Sequence, residues 1–159
     1  MIKMTGFNRR NPQHFEPIKA DPLNDSNRRN IRNSNKLSYN CGGYALGTFS
    51  WYCPYPPEYE GQSVSDIPLQ VLIDTMLNDF KGRLRLIKDC KECKRGERVI
   101  AFRTSTWDDF HYMLRGRNGL WYHKMGNQEE IRRVSKKIVF SSNWFNYYYG
   151  EIVLFAMKY

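Results

Sequence analysis

The chain has no apolar run approaching the roughly 20 residues that a membrane-spanning helix needs. Residues 1–17 contain no apolar core of a secretory leader, so the expected compartment is the cytoplasm. Cysteine is scarce: Cys41, Cys53, Cys90 and Cys93 are the 4 present. In a reducing compartment they are expected as thiols and not as a disulfide framework. Cys90 and Cys93 make one Cys-x-x-Cys pair, but no second close pair supplies the other half of a four-ligand zinc site. A redox pair of that kind would want a thioredoxin-like βαβ frame, which the order of elements below denies. Neither a metal nor a cofactor is therefore expected. Histidine is scarcer still, with 3 residues, His14, His111 and His123. Internal repeats and low-complexity runs are missing, as are the signatures of an RNA-recognition motif or a helix-turn-helix.

What is present is a basic, aromatic-rich chain long enough for one domain. Its 159 residues carry 25 Lys and Arg against 16 Asp and Glu, a net charge of +9, and 15% of them are aromatic. That length allows a core without metal or disulfide staples. The charge favours anionic partners without choosing among them. Basic residues cluster over 81–98 and 132–137, and Arg9, Arg10, Arg28, Arg29 and Arg32 decorate the first segment.

Texture divides the chain at about residue 37. Residues 1–36 are rich in Asn, Arg and Pro with aperiodic apolar positions, and read as an irregular arm. The domain proper runs over 37–159. Residues 41–49 read as a short helix opening on Gly42 and Gly43, followed by a Pro-punctuated aromatic loop over 51–61. The strongest helix is 65–80: Ser65 or Asp66 caps it, and Leu69, Leu72, Ile73, Met76, Leu77 and Phe80 share one face. Strands are expected at 84–88, 98–103, 110–115, 120–125, 132–140 and 151–157. Helices early and strands late argue for an α+β domain with an antiparallel sheet.

Cys41 stands at the start of the first helix, where unpaired N–H groups favour a thiolate and can hold an oxyanion. Gly42 and Gly43 would leave the approach open for a substrate. His111 and His123 flank a turn signal at Asn118-Gly119, and a hairpin would bring them together. Register decides whether they share a face. A two-residue turn separates them, whereas three- and five-residue loops place both on one side. A cysteine with two histidines suggests a nucleophile, a base and an orienter of that base.

Three segments together resemble the papain-like cysteine peptidase superfamily, in its NlpC-type and CHAP-type branch. They are Tyr39-Asn-Cys-Gly-Gly-Tyr-Ala45, Gly96-Glu-Arg-Val-Ile-Ala-Phe102, and Asp109-Phe-His-Tyr-Met-Leu-Arg115 with Gly119-Leu-Trp-Tyr-His-Lys-Met-Gly126. The likeness extends to small phage and bacterial papain-like proteins. It covers roughly residues 35–126. It departs from the family pattern at Glu97, where Asp is usual, and at the loop over 51–64. The resemblance implies a papain-like α+β fold, with N-terminal helices packed on an antiparallel sheet of about five to six strands. It implies Cys41 as nucleophile, His111 as base and His123 as orienter, with Asp109 and Asn127 as rivals for the last role. An oxyanion donor upstream of the nucleophile would be Asn35, six residues before Cys41, with Asn40 as its rival. The function so implied is a thiol hydrolase cleaving a peptide, isopeptide or amide bond in a protein or in cell-wall peptides. An anionic wall polymer would join the charge to that activity. Nucleic acid is the less favoured partner. The alternative is a non-catalytic basic binding protein on the same fold.

Overall fold

The computed structural model describes residues 39–48, 50–106, 108–125 and 131–158. The arm over 1–36, with Asn35 and His14, lies outside them, as does Asn127. Six strands form a single sheet in the order β1-β6-β2-β3-β4-β5, with every neighbouring pair antiparallel. They are β1 (Leu84–Ile87), β2 (Glu97–Ser105), β3 (Phe110–Arg115), β4 (Trp121–Lys124), β5 (Ile131–Val134) and β6 (Tyr148–Lys158). Among the described residues the α-helices are α1 (Cys41–Ala45), α2 (Leu69–Asp79) and α3 (Lys136–Val139).

The expected papain-like layering of helices on a sheet is not what forms. The described residues make a sheet-dominated structure in which only α2, at 11 residues, exceeds five residues in length. The cause is local. α1 ends at Ala45, and two residues on Gly47 adopts φ 73°, a left-handed conformation that stops a helix. Pro54, Pro56 and Pro57 then forbid a new helix, so the 51–67 segment covers the sheet as irregular chain and single turns. Ser65 and Asp66 lie in one of those turns, and Pro68 takes the cap position of α2 without a side-chain cap bond.

The expected strand over 132–140 also divides. Ser135 accepts the N–H of Ile138 through its hydroxyl and opens α3 there.

Both sheet faces are buried. On one, Leu72, Ile73 and Met76 of α2 join Ile100, Phe102, Phe110, Tyr112 and Leu114. Burial of each such side chain contributes about 1.5–3 kcal/mol. On the other face Val99, Ala101, Met113, Trp121 and Leu154 pack with Trp144 and Tyr148 from the segment after α3. Alternation along β3 thus sends even-numbered residues to the helix side and odd-numbered ones to the far side.

The β3–β4 hairpin closes with a three-residue loop. Gly116 N–H donates to Leu120 O at 2.8 Å, and Gly119, at φ 79°, donates back to Gly116 O. This is one of the two loop lengths that place His111 and His123 on one face.

Candidate functional site

His111 and His123 meet. The register pairs Leu114 with Tyr122, so the two histidines are diagonal neighbours on the far face, and His111 Nε2 lies 3.0 Å from His123 Nδ1. His123 is therefore the residue that bonds His111. Asp109, its rival, is engaged elsewhere: Tyr148 donates its hydroxyl to one carboxylate oxygen at 2.6 Å, and the Phe110 N–H donates to the other. Burial pushes both histidines down, His111 well below its ordinary value and His123 to about 4. Both imidazoles are neutral at pH 7, and the His111 Nδ1 has no hydrogen-bond partner among the described residues.

The surroundings were not foreseen from sequence. The His111 ring packs against Tyr148 at 5.3 Å and Trp144 at 6.0 Å. His123 lies 5.4 Å from Phe145 in a stacked arrangement. Phe145 holds that position at φ 54°, a left-handed conformation that is costly for a residue with a bulky side chain. Arg103, the partner of His111 across β2 and β3, sits where the β2–β6 register shifts. Its guanidinium lies 5.1 Å from the Trp144 ring, it is 5% exposed, and its Nε and one terminal nitrogen have no hydrogen-bond partner among the described residues. For His123, the charge of Arg132 adds to burial in keeping the ring neutral. No motif marks these residues. Pairing of β2 with β3 brings Arg103 to His111, and pairing of β2 with β6 brings Tyr148 and the residues just before it.

Cys41 is seated differently from expectation. It is 2% exposed and belongs to the helix-side cluster, and no hydrogen bond joins its sulfur to either histidine. Its thiol instead donates to Phe110 O at 3.8 Å, and the Tyr112 N–H also bonds the sulfur. The reason lies in the ladder. Ser105 N–H donates to Asp109 O, so the backbone groups of Asp109, His111 and Met113 face β2, while those of Phe110 and Tyr112 face β4. The β3–β4 ladder holds only the pairs Leu114–Tyr122 and Arg115–Trp121. Beyond it the strands part, and Cys41 fills the gap, satisfying edge groups that β4 leaves unpaired. The histidine pair bridges the same gap from the far face.

The helix start does not produce a thiolate. Burial first, and the charge of Asp109 second, push the Cys41 thiol up to about 12, against weaker pulls from backbone N–H groups and Lys124. Gly42 and Gly43 serve packing, not access: a Cβ on Gly43 would lie 1.9 Å from Ser50 O, and one on Gly42 would lie 3.1 Å from the Tyr112 ring. Asn40, the rival oxyanion donor, is fully engaged. Its side-chain oxygen accepts from Gly43 and Tyr52 N–H, and its amide donates to Tyr52 O at 2.7 Å. Lys124 is another residue the sequence did not single out. It is wholly buried and donates to Tyr39 O at 2.8 Å.

The four cysteines are free thiols, and no group of metal-ligating side chains occurs among the described residues. Comparison with curated proteins and with solved structures found no match to either. A family model does match, over residues 30–157, and the chain belongs to that family, described as a domain of unknown function, DUF7689.

Proposed function

We propose that the chain is a thiol hydrolase cleaving a peptide, isopeptide or amide bond at the gap between β3 and β4. The reading rests on the residues and not on the fold, whose layering differs from the papain-like pattern. One observation carries it: Cys41 from one face and the bonded His111–His123 pair from the other converge on the same break in the ladder. In the proposed reaction the Cys41 sulfur attacks the carbonyl carbon as its proton passes to His111 Nδ1. His111 then gives that proton to the leaving amine, and the amine departs from a thioester. Water, with His111 as base, attacks the thioester and releases the acid and the thiol. His123 holds the His111 ring through Nε2 and so leaves Nδ1 as the nitrogen to take the proton. Thiol and imidazole are both neutral at rest, so proton transfer accompanies attack instead of preceding it. The substrate is a peptide or protein, and the proposed setting is the cytoplasm.

The burial of Cys41 favours a second reading, a non-catalytic binding protein in which this thiol caps a strand edge. The rate of iodoacetamide alkylation against pH, read by peptide mass, separates the two. Cys90 and Cys93, both partly exposed, serve as internal controls. Alkylation of Cys41 below the ordinary thiol range of about pH 8.5, lost in His111→Gln, supports the hydrolase. A Cys41 slower than both controls at every pH, and indifferent to His111→Gln, sinks it.

A further inference from the structure

At the hairpin end of the far face, away from the histidines, two hollows of about 750 and 800 Å³ adjoin and share Cys93, Arg115 and Gly119. Lys88, Lys91, Arg115 and Lys136 line the first, and Lys94 and Arg95 continue the second. None of these six cations has an ion-pair partner among the described residues. The two carboxylates in the lining are already occupied. Asp89 accepts the Lys91 N–H at 2.8 Å, and Glu97 is gripped by Arg85 through contacts of 2.7 and 3.0 Å. The walls are therefore cationic: six unpaired cations stand against two carboxylates, of which Glu97 is neutralised by Arg85.

The floor is apolar, built by Trp121 and Leu154. At its rim Phe140 is 42% exposed and stands edge-on to Trp121, with ring centroids 5.7 Å apart at 84°. That contact fixes a flat aromatic face among lysines.

We infer that this groove binds single-stranded nucleic acid, with phosphates on the lysines and arginines and a base on Phe140. Charge complementarity selects a polyanion. Each hollow alone has the roughly 300–1,000 Å³ of a small-ligand site, and because they adjoin along one cationic wall they suit a polymer that runs from one to the other. The ring selects a polyanion that carries flat groups, and those groups are free to stack only when unpaired. The inference uses neither Cys41 nor the histidines and stands apart from the hydrolase reading.

The test is fluorescence anisotropy of the full chain with a short labelled oligothymidylate, with an abasic backbone of equal length, and with inorganic polyphosphate as competitor. The oligothymidylate is expected to bind with an affinity that falls steeply with salt. The double variant Lys91→Glu/Lys136→Glu should weaken binding at least about tenfold. Phe140→Ala should weaken it about fivefold or more without changing the salt slope, because stacking carries roughly 1–3 kcal/mol per base and no charge. All three side chains are exposed, so the variants keep the fold. Absence of binding overturns the inference, as does indifference to charge reversal. Equal affinity for the abasic backbone, or no effect of Phe140→Ala, leaves a surface for polyanions in general and also overturns it.

Discussion

At the scale of single residues, Cys41 has a structural duty whatever its chemistry. Its sulfur satisfies Phe110 O and the Tyr112 N–H at a strand edge that β4 has left. Serine can make both bonds with a hydroxyl, and alanine can make neither. Cys41→Ala is therefore expected to cost about 1–3 kcal/mol, the usual penalty for buried polar groups left unpaired. Cys41→Ser should cost clearly less, as read from urea midpoints. Equal losses in the two variants would mean that packing of the sulfur, and not its bonds, holds the site. The comparison also guards the activity assay, because a loss of turnover in Cys41→Ser arises in a protein that remains folded.

At the scale of elements, the approach of α1 to the following loop depends on a missing side chain. Gly43→Ala drives a methyl into the Ser50 backbone at 1.9 Å, where nothing flexible can yield, and should cost about 3 kcal/mol or more. Gly42→Ala meets only a ring at 3.1 Å and should cost much less in the same thermal melt. Sequence patterning located most elements, because their signals are local. The stripe from Leu69 to Phe80 identified α2, and Phe110–Arg115 is a strand with the expected limits. Where a signal depended on competition between neighbours, it misled. The Ile138 and Val139 pair looks like strand, yet Ser135 can cap a helix and did. The histidine pairing was undecidable from spacing because it turned on the loop. Asn118-Gly119 favours a two-residue turn, but Gly116 pairs with Leu120 and lengthens the loop to three. Arg103, Trp144 and Tyr148 gave no local sign at all, since distant strand pairing alone brings them to His111. Cys41 was legible as a residue of interest, but not its seat in the gap, which depends on where β4 leaves β3.

At the scale of the whole molecule, two neutral buried histidines make stability depend on pH. Both have folded pKa values below the unfolded value of about 6.5. The unfolded chain therefore binds more protons below that pH. The stability they contribute is complete above about pH 6.5 and is lost as pH falls toward the folded values, about 4 for His123. The slope approaches about 1.4 kcal/mol per pH unit for each histidine. Urea midpoints taken between about pH 7 and pH 5 should fall steeply in the wild type and much less in His111→Gln/His123→Gln. A wild-type curve flat over that range would mean that the pair is not held neutral. Among the described residues no helix is long and apolar enough to cross a membrane. The sheet order has a consequence for how the chain acquires its shape. β6, the last of the described strands, lies between β1 and β2, and among the described residues β1 pairs with the sheet only through it. A ribosome delivering this chain can release β2 through β5 into a meander, but β1 must wait with one edge bare for β6. Until it arrives the nascent protein is a partial sheet with an open slot, and that slot is where a chaperone or a stray strand would bind.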